Sequence, residues 1–177
     1  MRSGSFILCA LGAMALLGAA CTSKEEKTWN DYAEWRDTND AWLHEQVQTG
    51  KYSRFVPDWN QKIHVDMRWL NDRAATEGNL TPLYTSQCKV KYKGWLYDGT
   101  PFDSSYLRTD SLAVVSPGNL IDGWAIAMEQ MRVGDKFEVL VPYTAGYGAS
   151  GMGSIPPFSA LRFEIELRDI TAYEIKP

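Results

Sequence analysis

The chain has 177 residues, 45% of them hydrophobic and 23% charged, which suits one compact soluble domain with modest additions and leaves no room for two. Its formal charge of -4 lacks the basic excess on which sequence-independent nucleic-acid binding relies, so no nucleic-acid partner is expected. Two histidines, His44 and His64, and three cysteines leave few ligands for a metal cage and few nucleophile–base pairs. No metal, no cofactor and no covalent chemistry are expected.

Arg2 precedes a twelve-residue apolar run, Phe6 to Leu17, which ends in Gly18, Ala19 and Ala20 before Cys21. This is the anatomy of a secretory signal over residues 1–20. The stretch Phe6 to Ala20 has 15 residues, short of the roughly 20 that cross a bilayer as a helix. Leu17-Gly18-Ala19-Ala20-Cys21 resembles a bacterial lipobox, in which the cysteine is acylated and becomes the first mature residue. Here Leu17 stands one place further from the cysteine than the usual aliphatic residue. A lipid anchor at Cys21 is the leading expectation, and ordinary signal cleavage that leaves a free thiol is the alternative. The polar run of residues 21–27 reads as a flexible tether, and its Lys24-Glu25-Glu26 is similar to the surface-export signal of some Bacteroidetes lipoproteins. Together these place the protein in a cell envelope, as an outer-membrane lipoprotein facing the periplasm or the cell surface. Cys9 leaves with the signal and Cys21 is used by lipid, so Cys88 has no intrachain partner.

Residues 28–61 form an aromatic-rich helical extension. Trp29, Tyr32, Trp35, Trp42, Leu43 and Val47 share one helical face across residues 28–49, Gly50 stops the helix, and an irregular aromatic connector follows. That face buries either on the main domain or, through residues 28–60, in self-association or a partner groove. From residue 62 the period switches to two: Ile63, Val65, Met67 and Trp69 alternate with His64, Asp66 and Arg68, which marks a half-buried strand and puts His64 in solvent. Val90 and Tyr92 alternate with three lysines, Asp98-Gly99 signals a hairpin turn, and Phe137 to Val141 and Leu161 to Leu167 alternate as further strands. Trp124, Ala127, Met128 and Met131 lie on one face of a short helix, with Asp122 placed as its cap and Gly134 past its end. One helix cannot link these strands by repeated crossovers, so the sheet is largely antiparallel and the class α+β.

Gly146 to Gly151 spells GxGxxG after a strand, but Pro156-Pro157 and another strand follow where the dinucleotide fingerprint needs a helix. The glycines shape a loop. No GxSxG elbow is present and the carboxylates are scattered. What remains is a set of aromatic and apolar residues at strand ends and in loops.

Val90-Lys91-Tyr92-Lys93-Gly94-Trp95-Leu96, Asp98-Gly99 through Phe102-Asp103-Ser104-Ser105, Leu120-Ile121-Asp122-Gly123-Trp124, Val141-Pro142-Tyr143 through Tyr147-Gly148, and Ile155-Pro156-Pro157 with Leu161 to Leu167 follow one another in order. On these motifs residues 62–177 resemble the FKBP family of peptidyl-prolyl cis-trans isomerases. The resemblance implies a five-stranded antiparallel sheet wrapped on one short helix, with a proline pocket between them. It implies Trp124 as the pocket floor, Tyr92, Phe102 and Phe163 as walls, the Ile121 N–H and the Tyr147 hydroxyl as donors to substrate carbonyls, and Asp103 as a pocket carboxylate paired with Arg108. Leu120 and Ile155 would contribute to the rim. Two loops are each about one residue short of the family pattern, so Leu112 or Ser111 replaces a wall phenylalanine and Ser154 replaces an apolar rim residue. The implied activity is isomerisation of X–Pro bonds in exported proline-containing polypeptides. The alternative is a non-catalytic binding or chaperone module on a membrane-anchored lipoprotein.

Overall fold

The computed structural model describes residues 23–173, and the signal and lipobox readings, Cys21 included, lie outside them. Its helices and strands run in the order α1 (Lys24–Asp31), α2 (Ala33–Gln48), β1 (Ser53–Phe55), β2 (Val65–Trp69), β3 (Gln87–Leu96), β4 (Pro101–Ser104), β5 (Ala113–Val115), α3 (Asp122–Met128), β6 (Lys136–Val141) and β7 (Leu161–Ala172). All strand pairings are antiparallel, in the spatial order β1-β2-β6-β7-β3-β4, with β5 also on β3. Because β4 and β5 follow one another along the same edge of β3, the main domain has the expected five strand positions. The extension adds β1 as a further edge strand.

Alternation along β6 and β7 sends Phe137, Val139 and Val141, and Leu161, Phe163, Ile165 and Leu167, to the face covered by α3. There they bury together with Trp124, Ala127, Met128 and Met131. Asp122 is the first residue of α3 rather than its cap. Ile121 occupies the cap position in an extended conformation without a side-chain hydrogen bond. Gly134, at φ +93°, belongs to the turn before β6, not to the end of the helix.

The extension departs most from the sequence reading. The segment read as a flexible tether is helical from Lys24, with Ser23 accepting the Glu26 N–H at 3.1 Å as an N-cap and Lys27 paired with Asp31 four residues on. The single helix expected over 28–49 is broken at Tyr32 (φ −105°, ψ 17°). Its most buried residues are the polar Arg36 and Asn39, flanked by aromatics. Asn39 accepts the Ala160 N–H at 2.8 Å and donates to the Trp35 carbonyl at 2.7 Å, while the Trp35 indole donates to Ser159 at 3.1 Å. Trp29 meets Phe158 edge-on at 5.4 Å, and the Arg36 guanidinium covers the Trp29 ring at 3.6 Å. The aromatic face therefore seats on the chain's own 156–160 loop, the intramolecular one of the two readings.

Strand β2 starts at Val65, and its polar residues are not solvated as alternation implied, because β1 and the extension cover them. Asp66 is buried, its carboxylate held by Arg54 at 2.9 and 3.0 Å. His64 is half-buried in a cleft of about 470 Å³ between α2 and this edge of the sheet. Cys88 is buried, with its thiol pushed up to about 11 by burial and by the Asp169 charge.

Candidate active site

Strand β3 points Val90, Tyr92 and Gly94 toward the helix-covered face. Gly94 is required there. A Cβ on it would lie 2.8 Å from both Phe102 and Phe163, whose rings close over the strand. From this platform a chain of edge-to-face contacts runs outward. Phe102 meets Phe163 at 5.5 Å, Phe163 meets Trp124 at 5.3 Å, and Trp124 meets Tyr92 at 5.1 Å, each pair within a few degrees of perpendicular. Trp124 is 5% exposed, so its orientation is fixed by packing.

Above Trp124 lies a cup of about 90 Å³ lined by Tyr92, Asp103, Val115, Leu120, Ile121, Trp124 and Tyr147. At roughly 30 Å³ per water molecule this is the space of about three waters, enough for a small ring. Ile121 precedes α3, so its N–H belongs to the group of helix-terminal donors without an intrahelical acceptor, while its carbonyl accepts from Trp124 and Ala125. Tyr147 enters from the glycine-rich loop, which is closed by the Gly148 N–H on the Tyr143 carbonyl at 3.0 Å and the Phe158 N–H on the Gly148 carbonyl at 2.9 Å.

The rim is polar on one side. The Tyr92 hydroxyl donates to Asp103 at 2.7 Å, and the other carboxylate oxygen accepts the Ser104 N–H at 2.7 Å. Burial and that hydrogen bond push Tyr92 up to about 12. Burial, then the Asp103 charge, raises Tyr147 above its ordinary value. Both phenols are neutral donors at physiological pH.

Tyr92, Asp103, Leu120, Ile121, Trp124 and Tyr147 are thus brought together as the resemblance implied. Phe163 packs edge-on against Trp124 and Phe102 against Phe163, so the two expected wall residues join the aromatic array next to the cup. Ile155 is 6% exposed and belongs to the core cluster. Two expectations are corrected. Asp103 is not paired with Arg108: its partners are Tyr92 and Ser104, and Arg108 ends the Ser105–Leu107 turn with an exposed side chain whose charge acts on the Tyr92 hydroxyl. Leu112 does not line the cup. Val115 of β5 does.

A model of the family described as FKBP-type peptidyl-prolyl cis-trans isomerase matches residues 78–168. The chain belongs to this family. Its FKBP domain is 41% identical over 98 residues to the macrophage infectivity potentiator of Trypanosoma cruzi, covering 55% of this chain and 50% of the relative. It is 46% identical over 90 residues to the FKBP-type 22 kDa peptidyl-prolyl cis-trans isomerase of Escherichia coli strain K12, covering 50% of this chain and 43% of the relative. The chain therefore spans half or less of the length of these curated relatives. In fold it superposes on the crystal structure of FkpA from Escherichia coli with a TM-score of 0.70 at 23% identity, covering 83% of this chain and 64% of that one. A peptidyl-prolyl isomerase structure from Pseudomonas syringae gives 0.65 at 25%, covering 78% and 95%.

Two residues of the FKBP site escaped sequence reasoning. Val115 was hidden in a three-residue strand, too short for any period. Ser105 is fully buried and accepts the Tyr92 N–H at 3.0 Å while donating to the Ser111 carbonyl at 2.9 Å, so it positions the Tyr92 backbone. Its only signal was a serine directly after Asp103-Ser104, which also reads as an ordinary turn.

Proposed function

We propose that the protein is a peptidyl-prolyl cis-trans isomerase acting on proline-containing polypeptides. The observation that carries this reading is the aromatic cup of about 90 Å³ lined by Trp124, Tyr92 and Tyr147 together with Ile121, whose N–H has no intrahelical acceptor. Rotation about an X–Pro bond breaks amide resonance against a barrier of ~18–20 kcal/mol and makes no new bond. No nucleophile or titrating acid is needed. A pyrrolidine ring held on Trp124 fixes one side of the bond while the rest of the peptide turns. The twisted amide has lost charge separation, so an apolar site favours it over the planar ground state, and donors at the edge hold the flanking carbonyls. Shortening about a hundred seconds to about a millisecond takes roughly a 10⁵-fold gain, about 7 kcal/mol.

The test is a proline-limited refolding assay with the purified protein. Wild type accelerates the slow phase at micromolar concentration. Tyr147→Phe, which keeps the ring, lowers kcat/KM by about two- to tenfold, the range for one hydrogen bond, and Trp124→Ala removes most of the activity. A slow phase unaffected by wild type would leave a binding module without catalysis.

We propose further that Cys21 carries a lipid anchor and that the clients are exported proteins passing the cell envelope. Support comes from the short apolar run and its small-residue end before Cys21. Incorporation of labelled palmitate into wild type, and its loss in Cys21→Ser, checks the anchor.

A further inference from the structure

A second cleft, of about 420 Å³, lies beside α3 and is lined by Trp59, Tyr84, Asp122 and Glu129. It adjoins the prolyl cup, since Ile121 lines one and Asp122 the other. We propose that this cleft extends the substrate groove and takes a basic side chain, lysine or arginine, three or four residues from the client's proline. The inference rests on the isomerase reading above and deepens it.

Asp122 and Glu129 are seven residues apart at the two ends of α3, which puts both carboxylates on one face about 10 Å apart along the axis. Among the described residues neither forms an ion pair, although nine such pairs exist elsewhere. Burial alone raises Glu129, with no cation opposing it. Trp59 and Tyr84 are 56% and 54% exposed, large rings left in solvent beside two unpaired carboxylates. Tyr84 is nonetheless fixed: its ring presses on Gly118, where a Cβ would lie 2.4 Å from it, and its carbonyl accepts the Gly118 N–H at 2.9 Å. That anchors it to the Pro117–Asn119 turn leading into Leu120 and Ile121 of the cup.

Aromatic faces combined with carboxylates suit a cation on a long apolar stem: the rings take the stem and the charge, and the carboxylates add charge-assisted hydrogen bonds. Glu129 lies about 10 Å along the helix axis from Asp122, the chain neighbour of the cup residue Ile121, and extended peptide at about 3.3–3.6 Å per residue covers that length in about three residues. Trp59 comes from the extension and lies outside the matched residues 78–168. This element of specificity is thus supplied by the chain's own N-terminal addition.

The test uses peptides with one X–Pro bond that carry lysine or its uncharged isostere norleucine three or four residues to either side of the proline. Rates are read by NMR exchange with the full chain. On one side of the proline, the lysine peptide is isomerised with about three- to fivefold higher kcat/KM than the norleucine peptide. That preference disappears in Glu129→Gln and shrinks in Trp59→Ala, read in each variant as the ratio of its lysine-peptide to its norleucine-peptide kcat/KM. Equal wild-type rates on the two peptides, or a preference that survives both variants, overturn the inference and leave the isomerase reading intact. Failure to catalyse any of the peptides overturns the isomerase reading, and this inference with it.

Discussion

Asp103 is the one charged group on an otherwise apolar and phenolic cup, and its partners decide how it is tested. It accepts from the Tyr92 hydroxyl on one oxygen and from the Ser104 N–H on the other; an asparagine keeps the Ser104 bond with its carbonyl oxygen, while its NH₂ turns to the Tyr92 oxygen and donates to it instead. Asp103 is exposed, so removing its charge leaves no buried ion behind. Asp103→Asn is expected to lower kcat/KM by about three- to tenfold with a denaturation midpoint close to that of wild type, because the charge acts on substrate and on the two phenols rather than on the fold. Parallel loss of activity and stability would make the residue structural. The pocket residues were legible through ordered motifs that resemble the FKBP family. The pairing of Arg108 was not: its position matches the family's partner of Asp103, but the direction of a side chain at the end of a 3₁₀ turn is set by backbone geometry that a motif match does not encode.

At the scale of elements, strands with alternating apolar residues were readable because one face of each packs on α3. The extension was readable only in part. Its aromatic stripe marked a helix, but the residues that bury most, Arg36 and Asn39, are polar, and a hydrophobic period counts them as solvent-facing. Arg36 is held locally, by the Trp29 carbonyl and ring, while Asn39 and its neighbour Trp35 find partners more than a hundred residues away, Ala160 and Ser159 on the 156–160 loop. Strand β1 is three residues long and has no period at all. The docking of α2 makes a specific demand on Asn39, which is fully buried and satisfies the Ala160 N–H. Asn39→Ala strands that donor, and chemical denaturation should show a loss of about 1–3 kcal/mol. Isomerase activity is expected to stay near that of wild type, since Asn39 is not on the cup. A variant as stable as wild type would mean that the Asn39–Ala160 hydrogen bond contributes nothing to the docking of α2.

For the whole molecule, two sets of ionisable groups with opposite shifts define a window of maximal stability, opposed on the acid side by Asp40 and Glu129, which burial raises. On the acid side, burial and the Arg54 charge lower His64 from 6.5, against the opposing charge of Asp66. The His64–Asp66 separation of 3.7 Å would by itself favour protonation, but Arg54 already holds that carboxylate through two shorter bonds, so burial prevails. The cleft around His64 also presents Asp40, His44 and Lys62, whose charges partly cancel. Glu138 is buried, which opposes its ionisation, yet hydrogen bonds from Arg68 and Tyr52 and the charge of Arg162 outweigh burial and lower it below 4.5. Both groups bind protons more readily when unfolded, so their stabilisation is complete above the unfolded values and is lost as pH falls, first below about 6.5 and then below about 4.5. On the alkaline side, Cys88 rises from 9.0 to about 11, and Tyr52 and Tyr92 rise from 10.0 to about 12, chiefly through burial. Their stabilisation is complete below the unfolded values and is lost as pH rises from about 9 toward 12. Urea midpoints should therefore be level between about pH 7 and 9 and fall on both sides, with His64→Gln removing the decline between pH 7 and 5.5. The site phenols keep their protons throughout that plateau, so kcat/KM should be flat across it as well. A midpoint that rises on acidification from pH 7 to 5.5 would show that Asp66, and not burial, governs His64. A bell-shaped activity profile inside the plateau would reveal an acid or base in the cup that the aromatic mechanism does not use.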